Sequence, residues 1–402
     1  MRFEKVYIPY GAYWSTPFCK WQGSLAHPNA LVLAAAVARD ALAKREIPVA
    51  TFDSLVLGTT VPQKHSFYGA AWLGGMIGAE GISGPTVAQA CATGARVLAT
   101  AAAEIETAAE GTVLTITADR CSNGPHIYYP NPAGPGGTGD KEDWVLDNFG
   151  HDPWARNAMI DTAENVAREQ QISREEQDSL TLLRYTQYER ALADGHAFQD
   201  RYMVRPLEVR DPKGQKVLAT VTADEGVFAT TEAGLAKLRP VKPDGTVTFG
   251  SQTHPADGNC GMVIADRDSA RRLTRRPEFE VQLISYSQSR VDKGFMAKAT
   301  VPAARGALAN AGLEVADVDA IKTHNPFAVN DIYLARELGV EAASFNNYGS
   351  SLIYGHPQAP TGTRAIIELI EELALRGGGN GLFVGCAAGD TAAAVVVRVS
   401  EG

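Results

Sequence analysis

Two cysteines and two histidines stand in segments whose residue types suit reactivity: Gln89-Ala90-Cys91-Ala92-Thr93-Gly94, His324-Asn325-Pro326-Phe327, Gly355-His356-Pro357 and Gly385-Cys386-Ala387-Ala388-Gly389. A thiol can attack a carbonyl and hold the acyl group as a thioester, an imidazole can take the thiol proton, and a second thiol can move a proton on or off carbon. That is the equipment of an acyl transferase that makes or breaks carbon-carbon bonds. Each residue alone has a plainer reading, because isolated cysteines most often fill small core holes and isolated histidines are most often structural or surface groups. Only the set carries weight.

The elements around these groups must bring them together. Cys91 lies between the short run Val87-Ala88-Gln89-Ala90 and an alanine-rich stretch from Ala92 to Glu110 that reads as a helix. A strand-to-helix turn there puts the thiol at a helix N-terminus, where unpaired amides and the helix dipole are expected to lower its pKa. His324 ends a strand over Ala320 to Thr323, His356 precedes a helix beginning near Gly362, and Cys386 follows a strand over Gly381 to Val384. Ligand sites in α/β sheets gather at such strand ends.

The remaining pattern fits a layered α/β chain. Helices are expected at Ala30 to Lys44, Thr162 to Gln170, Ser173 to Asp194, Pro302 to Ala311, Asn330 to Leu338 and Gly362 to Arg376. Strands are expected at Ser54 to Leu57, Thr112 to Ala118, Met262 to Ala265, Glu278 to Ser287 and Ala392 to Val399. From Cys121 to about Pro153 the Asn, Pro and Gly content predicts loop, and Leu207 to Gly250 reads as turn-rich with a short helix at Ala233 to Leu238. Two similar core halves with a long insertion result, each half carrying a reactive cysteine beside a strand.

Composition bounds the function classes. At 402 residues and 45% hydrophobic, the chain can build a large core. No apolar run approaches the roughly 20 residues that span a bilayer, and Met1-Arg2-Phe3-Glu4-Lys5 does not begin a secretory signal, so a cytoplasmic protein is expected. Five cysteines without a C-x-x-C pair suggest neither a disulfide framework nor a cysteine zinc site. A net charge of -9 argues against nucleic acid or an anionic membrane as the main partner.

Several ordered segments carry a family resemblance. Ser15-Thr16-Pro17-Phe18-Cys19-Lys20-Trp21-Gln22-Gly23-Ser24-Leu25 is similar to R-T-P-F-G-K-F-x-G-S-L, Thr162-Ala163-Glu164-Asn165-Val166-Ala167 to T-A-E-N-V-A, and Ile172-Ser173-Arg174-Glu175-Glu176-Gln177-Asp178 to I-S-R-E-x-Q-D. Leu235-Ala236-Lys237-Leu238-Arg239-Pro240 matches L-A-K-L-R-P, and Gly355-His356-Pro357 with Thr361-Gly362 resembles G-H-P-x-G-A-S-G. These are thiolase motifs, and the resemblance covers nearly the whole chain.

The resemblance implies a five-layered αβαβα fold of two similar halves with an inserted loop domain. The N-terminal half would be 1-120 with 247-268, the loop domain 121-246 and the C-terminal half 269-402. It implies Cys91 as nucleophile, His356 as its base, Cys386 as the acid/base for carbon, one oxyanion hole from His356 with His324 through water, and another from the backbone amides of Cys91 and Ala388. Thr253, Met159, Phe327 and Arg239 fall at substrate- or CoA-binding positions. Coenzyme A would be a substrate, with no permanently bound cofactor and no metal. Homodimers or homotetramers are expected, and some divergent members work with a small zinc-binding OB-fold subunit. A decarboxylating or hydroxymethylglutaryl-type condensing enzyme is the alternative, against which Cys386 argues; a non-catalytic thiolase-like subunit is the other.

Departures from the pattern bear on substrate. His324-Asn325-Pro326-Phe327 stands where common thiolases have N-E-A-F, Ser251-Gln252-Thr253-His254-Pro255-Ala256-Asp257-Gly258 replaces N-A-S-G-x-N-D-G, and Ala158 stands where many members have His. Asp390 replaces a glycine near the second thiol, whose pKa it would raise if it points inward. These changes predict a bulky, branched or aromatic acyl group.

Overall fold

The computed structural model describes residues 1-211 and 213-401. The N-terminal part runs through β1 (Tyr7–Ile8), β2 (Tyr13–Ser15), β3 (Cys19–Lys20), α1 (Ala30–Lys44), β4 (Ser54–Gly58), α2 (Gly69–Ile77), β5 (Thr86–Val87), α3 (Thr93–Glu106) and β6 (Thr112–Arg120). α1 keeps the expected bounds because Asn29 caps it, its side chain accepting from the Leu31 and Val32 amides. β6 is buried along almost its whole length, which explains its continuous apolar and Thr pattern.

The middle is more structured than its composition predicts. The segment expected to be loop from Cys121 to Pro153 holds a hairpin of β7 (His126–Tyr129) and β8 (Asp140–Asp143), then α4 (Leu146–Gly150). α5 (Met159–Glu169) and α6 (Arg174–His196) follow; Ser173 accepts from Glu176 N, and Glu176 returns the bond to the Ser173 amide. Leu207 to Gly250 contains a second hairpin, β9 (Leu207–Arg210) with β10 (Val217–Val221), and α7 (Glu232–Leu235).

The C-terminal part comprises β11 (Ala256–Ala265), α8 (Arg267–Leu273), β12 (Phe279–Arg290), α9 (Thr300–Ala311), β13 (Ala320–His324), α10 (Ala328–Leu338), α11 (Ser351–Tyr354), α12 (Ala359–Leu375), β14 (Gly379–Ala387) and β15 (Thr391–Glu401). Strands pair in the order β13-β14-β15-β12-β1-β11-β6-β4-β5, with β1 joining two sub-sheets by bonding both β11 and β12. Packing places α1 and α2 on one outer face, α3 and α12 between the sub-sheets, and α9 and α10 on the other outer face. The result is the five-layered αβαβα arrangement.

The central layer explains the composition of α12. A helix covered on all sides is expected to be apolar, yet α12 buries Arg364, Glu368, Glu371 and Glu372. Burial of charge is tolerable only when it is paired. Arg364 binds both oxygens of Asp224 at 2.6 and 2.8 Å, Glu368 accepts from Lys322 at 2.8 Å, and Glu371 accepts from the Tyr10 and Tyr13 hydroxyls. These bonds tie α12 to β13, to the N-terminal strands and to the middle segment. α3 and α12 also cross so closely that a Cβ on Gly94 would lie 2.6 Å from Thr363 N. The starting ends of both central helices are thereby held together.

Candidate active site

Those helix starts and the ends of β13 and β14 meet in one place. Cys91 lies two residues before α3, on a turn where Ala90 adopts a φ of +44° and Thr93 Oγ1 accepts from the Gln89 amide. Non-glycine residues rarely occupy that region, and such strain collects at functional sites. His356 is held by backbone bonds at both ends, its N–H donating to His254 O at 2.9 Å and its carbonyl accepting from Ala256 N at 3.2 Å. Gln358 then turns into α12 with φ 61° and ψ -106°. Asp119, at the end of β6, accepts from Ala359 N at 3.0 Å and from Thr59, Thr60 and Val61. The Cys91 turn and the His356 loop are thus fixed by neighbouring elements of both sub-sheets.

Cys91 Sγ and one ring nitrogen from each of His324 and His356 lie within 4.8 Å of one another. The two imidazoles stack, with centroids 4.0 Å apart and planes at 26°. Each has its Nδ1 bonded to a hydroxyl, His324 to Ser351 Oγ at 2.8 Å and His356 to Thr361 Oγ1 at 2.7 Å. Both Nε2 atoms are buried and unpartnered. Where the hydroxyl donates to Nδ1, Nε2 carries the proton and is a donor; where it accepts from Nδ1–H, Nε2 is free to take a proton. Burial pushes His324 down to about 3 and His356 well below the ordinary value, the latter also lowered by its His324 neighbour. Both rings are therefore neutral at physiological pH.

The three side chains offer atoms that a thiophilic cation could use.

The thiols differ from the sequence-based expectation. Cys91 is pushed up to about 11, because burial of the sulfur outweighs the Ala388 and Cys91 backbone amides that favour its thiolate. The helix N-terminus does not lower it as expected. Its S–H donates to Gln358 Oε1 at 3.3 Å. Cys386 is fully buried near the end of β14 and is held well above the ordinary thiol value by burial and by the nearby Cys91. Asn330 Nδ2 donates to its sulfur at 3.1 Å. Asp390 does not point at this thiol: its carboxylate accepts from Gly294 N at 2.8 Å, on the loop after β12.

The remaining candidates are dispersed. Phe327 is buried at the start of α10 in the cluster that includes Cys386, and half-buried Met159 at the start of α5 packs against it. Thr253 turns its hydroxyl inward to donate to Ser351 O while its amide donates to Pro326 O at 2.7 Å, bracing the His324 segment. Arg239 is exposed beyond α7. Sequence reasoning missed Ser351, Thr361, Gln358 and Asn330 as partners of the four candidate groups; only Thr361, inside a quoted motif, carried a local signal.

Comparison with known proteins agrees with this architecture. Residues 12–268 match the family model for the thiolase N-terminal domain and residues 278–399 that for the thiolase C-terminal domain. The human mitochondrial 3-ketoacyl-CoA thiolase is 29% identical over 391 residues, covering 95% of this chain and 96% of that protein. Beta-ketothiolase BktB of Cupriavidus necator is 31% identical over 360 residues, covering 87% and 88%. Among solved structures, the human mitochondrial 3-ketoacyl-CoA thiolase in complex with CoA has a TM-score of 0.88 at 28% identity, covering 98% of each chain. The Bacillus anthracis acetyl-CoA acetyltransferase has a TM-score of 0.90 at 25% identity, covering 99% of each. This chain belongs to the thiolase family and is an acyl-transferring enzyme. No helix among the described residues is long and apolar enough to cross a membrane.

Proposed function

We propose that the chain catalyses Claisen condensation of acyl-CoA, or its reverse, thiolysis of a 3-oxoacyl-CoA, through an acyl-Cys91 intermediate. Cys91 gives its proton to His356 Nε2 and attacks the thioester carbonyl; the CoA sulfur leaves with that proton. With that CoA gone, the Cys386 thiol proton passes to the vacated His356 Nε2, the thiolate takes an α-proton from a second acyl-CoA, and the carbanion attacks the acyl-Cys91 carbonyl. Collapse of the tetrahedral adduct frees Cys91, which takes the proton held by His356, and yields 3-oxoacyl-CoA. One developing oxyanion is met by the Cys91 and Ala388 amides and another by the paired imidazole Nε2 donors. The observation that carries this reading is the approach of one thiol and two neutral, Nε2-orphaned imidazoles within 4.8 Å.

The acyl group is bulky, branched or aromatic. The short side chain of Ala158, next to Met159, supports this, together with the altered Thr253 segment. Coenzyme A is a substrate, bound in part through Arg239, and no permanent cofactor is required. The functional divisions are 1-120 with 247-268, 121-246, and 269-402. A homodimer or homotetramer in the cytoplasm completes the reading; exposed Phe67 and Tyr68 near the edge strand β5 support self-association. A panel of 3-oxoacyl-CoAs assayed with free CoA tests it. Turnover should be fastest with large acyl groups; fastest turnover of acetoacetyl-CoA with a steep fall thereafter would refute the size preference, and no turnover of any member would refute the reaction.

A further inference from the structure

Asn330 lies in the first turn of α10 and is 2% exposed. One end of its amide donates to Cys386 Sγ at 3.1 Å, while the other end, Oδ1, is buried without a partner. A buried carbonyl oxygen left unpaired is costly and calls for a reason. The two ends of an amide are nearly equal in size and exchange places by a half-turn of the terminal bond. Against a sulfur that must alternate between S–H and S⁻, that half-turn is useful.

We propose that Asn330 is the positioning residue for carbon deprotonation: its amide nitrogen donates to the Cys386 thiolate, and after a half-turn its oxygen accepts from the Cys386 thiol. This deepens the proposed reaction and rests on Cys386 acting there as base. In the step itself the substrate α-C–H breaks, S–H forms on Cys386, and the carbon electron pair delocalises onto the substrate thioester carbonyl. Asn330 neither gains nor loses a proton.

The surroundings leave few other sources of thiolate stability. Cys91, from the turn before α3, and Asp331, next along α10, both disfavour a negative sulfur, although Asp331 is paired with Arg184 at 2.8 Å. His324, opposite Gly385 in the β13–β14 ladder, and His356 are neutral. Asp390, after β14, is held by Gly294, and the backbone amide of Cys386 itself gives some support. Among the side chains facing the sulfur, Asn330 is the one favouring the thiolate.

Two half-reactions separate this role from a structural one. Exchange of acetyl-CoA α-hydrogens in D2O, followed by NMR, reads the base; acylation of Cys91 by acetyl-CoA, followed by peptide mass spectrometry, is the internal reference. Asn330→Leu should slow exchange roughly tenfold or more relative to acylation, the size of one hydrogen bond to a charged group. It should also move the pH midpoint of exchange upward by about one unit. Asn330→Asp, equal in size but repelling the thiolate, should move the midpoint up further, and Asn330→Gln should recover part of the loss. Exchange and midpoint unchanged in both Asn330→Leu and Asn330→Asp, or equal losses in both half-reactions, would overturn the proposal while leaving the reaction standing. Exchange persisting in Cys386→Ala would instead refute Cys386 as the base.

Discussion

The turn before α3 and the end of β14 each present one thiol to the same space, yet they handle it in opposite ways. Cys91 sits on a strained turn with the amides of Cys91 and Ala388 aimed at its sulfur and the Gln358 amide oxygen taking its S–H. Cys386 sits in a regular ladder, wholly buried, with the Asn330 side chain at its sulfur. Burial drives both thiols upward, so neither is a free thiolate at rest. The difference lies in what becomes available during reaction. Two fixed backbone donors suit a carbonyl oxygen that gains charge beside Cys91, whereas an adjustable side-chain amide suits a sulfur whose own charge alternates.

Removing each thiol gives the largest contrast. Cys91→Ser should abolish covalent acylation and lower turnover by roughly four orders of magnitude. Cys386→Ala should lower turnover by roughly 10²–10⁴ but allow acyl-Cys91 to accumulate, visible by mass spectrometry of the intact chain. Loss of acylation in both variants would erase the distinction. A second contrast uses pH. With Cys91 raised to about 11, its alkylation by iodoacetamide should climb nearly tenfold per pH unit between about pH 7 and 10. Cys386 should resist until more alkaline pH, and acyl-CoA should protect Cys91. A plateau of Cys91 labelling near pH 7 would mean that a base holds it as thiolate.

A smaller effect tests the imidazole that serves the Cys91 side. Thr361→Val keeps the shape but removes the hydroxyl at His356 Nδ1, so the ring loses its fixed tautomer. Acylation of Cys91 should slow roughly tenfold, with exchange by Cys386 slowed less. Equal slowing would show that His356 serves both thiols alike.

What the residue order reveals follows from how local each cause is. α1 was legible to the residue because Asn29, its apolar stripe and Arg45 are contiguous. The four candidate groups stood out because Gly, Pro and small neighbours surround them. The β7–β8 hairpin was hidden because the Pro/Gly run Asn131 to Gly137 dominates the composition between its exposed strands. α2 was hidden by its three glycines. The direction of the Cys91 shift was misread because the helix start is local, whereas burial comes from elements far along the chain. Gln358 meets Cys91 across 267 positions and Asn330 meets Cys386 across 56, so no spacing pattern announces them.

The smallest expected effect concerns stability, and it separates the His324 replacement from the thiols on either side of it. Burial lowers His324 from 6.5 to about 3, so the folded chain prefers the neutral ring while the unfolded chain binds a proton below about pH 6.5. The stability this ring contributes is therefore present above pH 6.5 and is lost as pH falls from there toward 3. In His324→Asn the unfolding midpoint in urea should decline less steeply across that window, by up to about one proton taken up on unfolding. Some acid sensitivity must remain, since His356 is lowered by the same burial. Its shift should also shrink in the variant, because protonation of His356 no longer competes with protonation of the stacked His324. An identical slope for both proteins between pH 6.5 and 4 would mean that His324 is reached by water, and the pairing of dry, neutral imidazoles beside Cys91 would have to be abandoned.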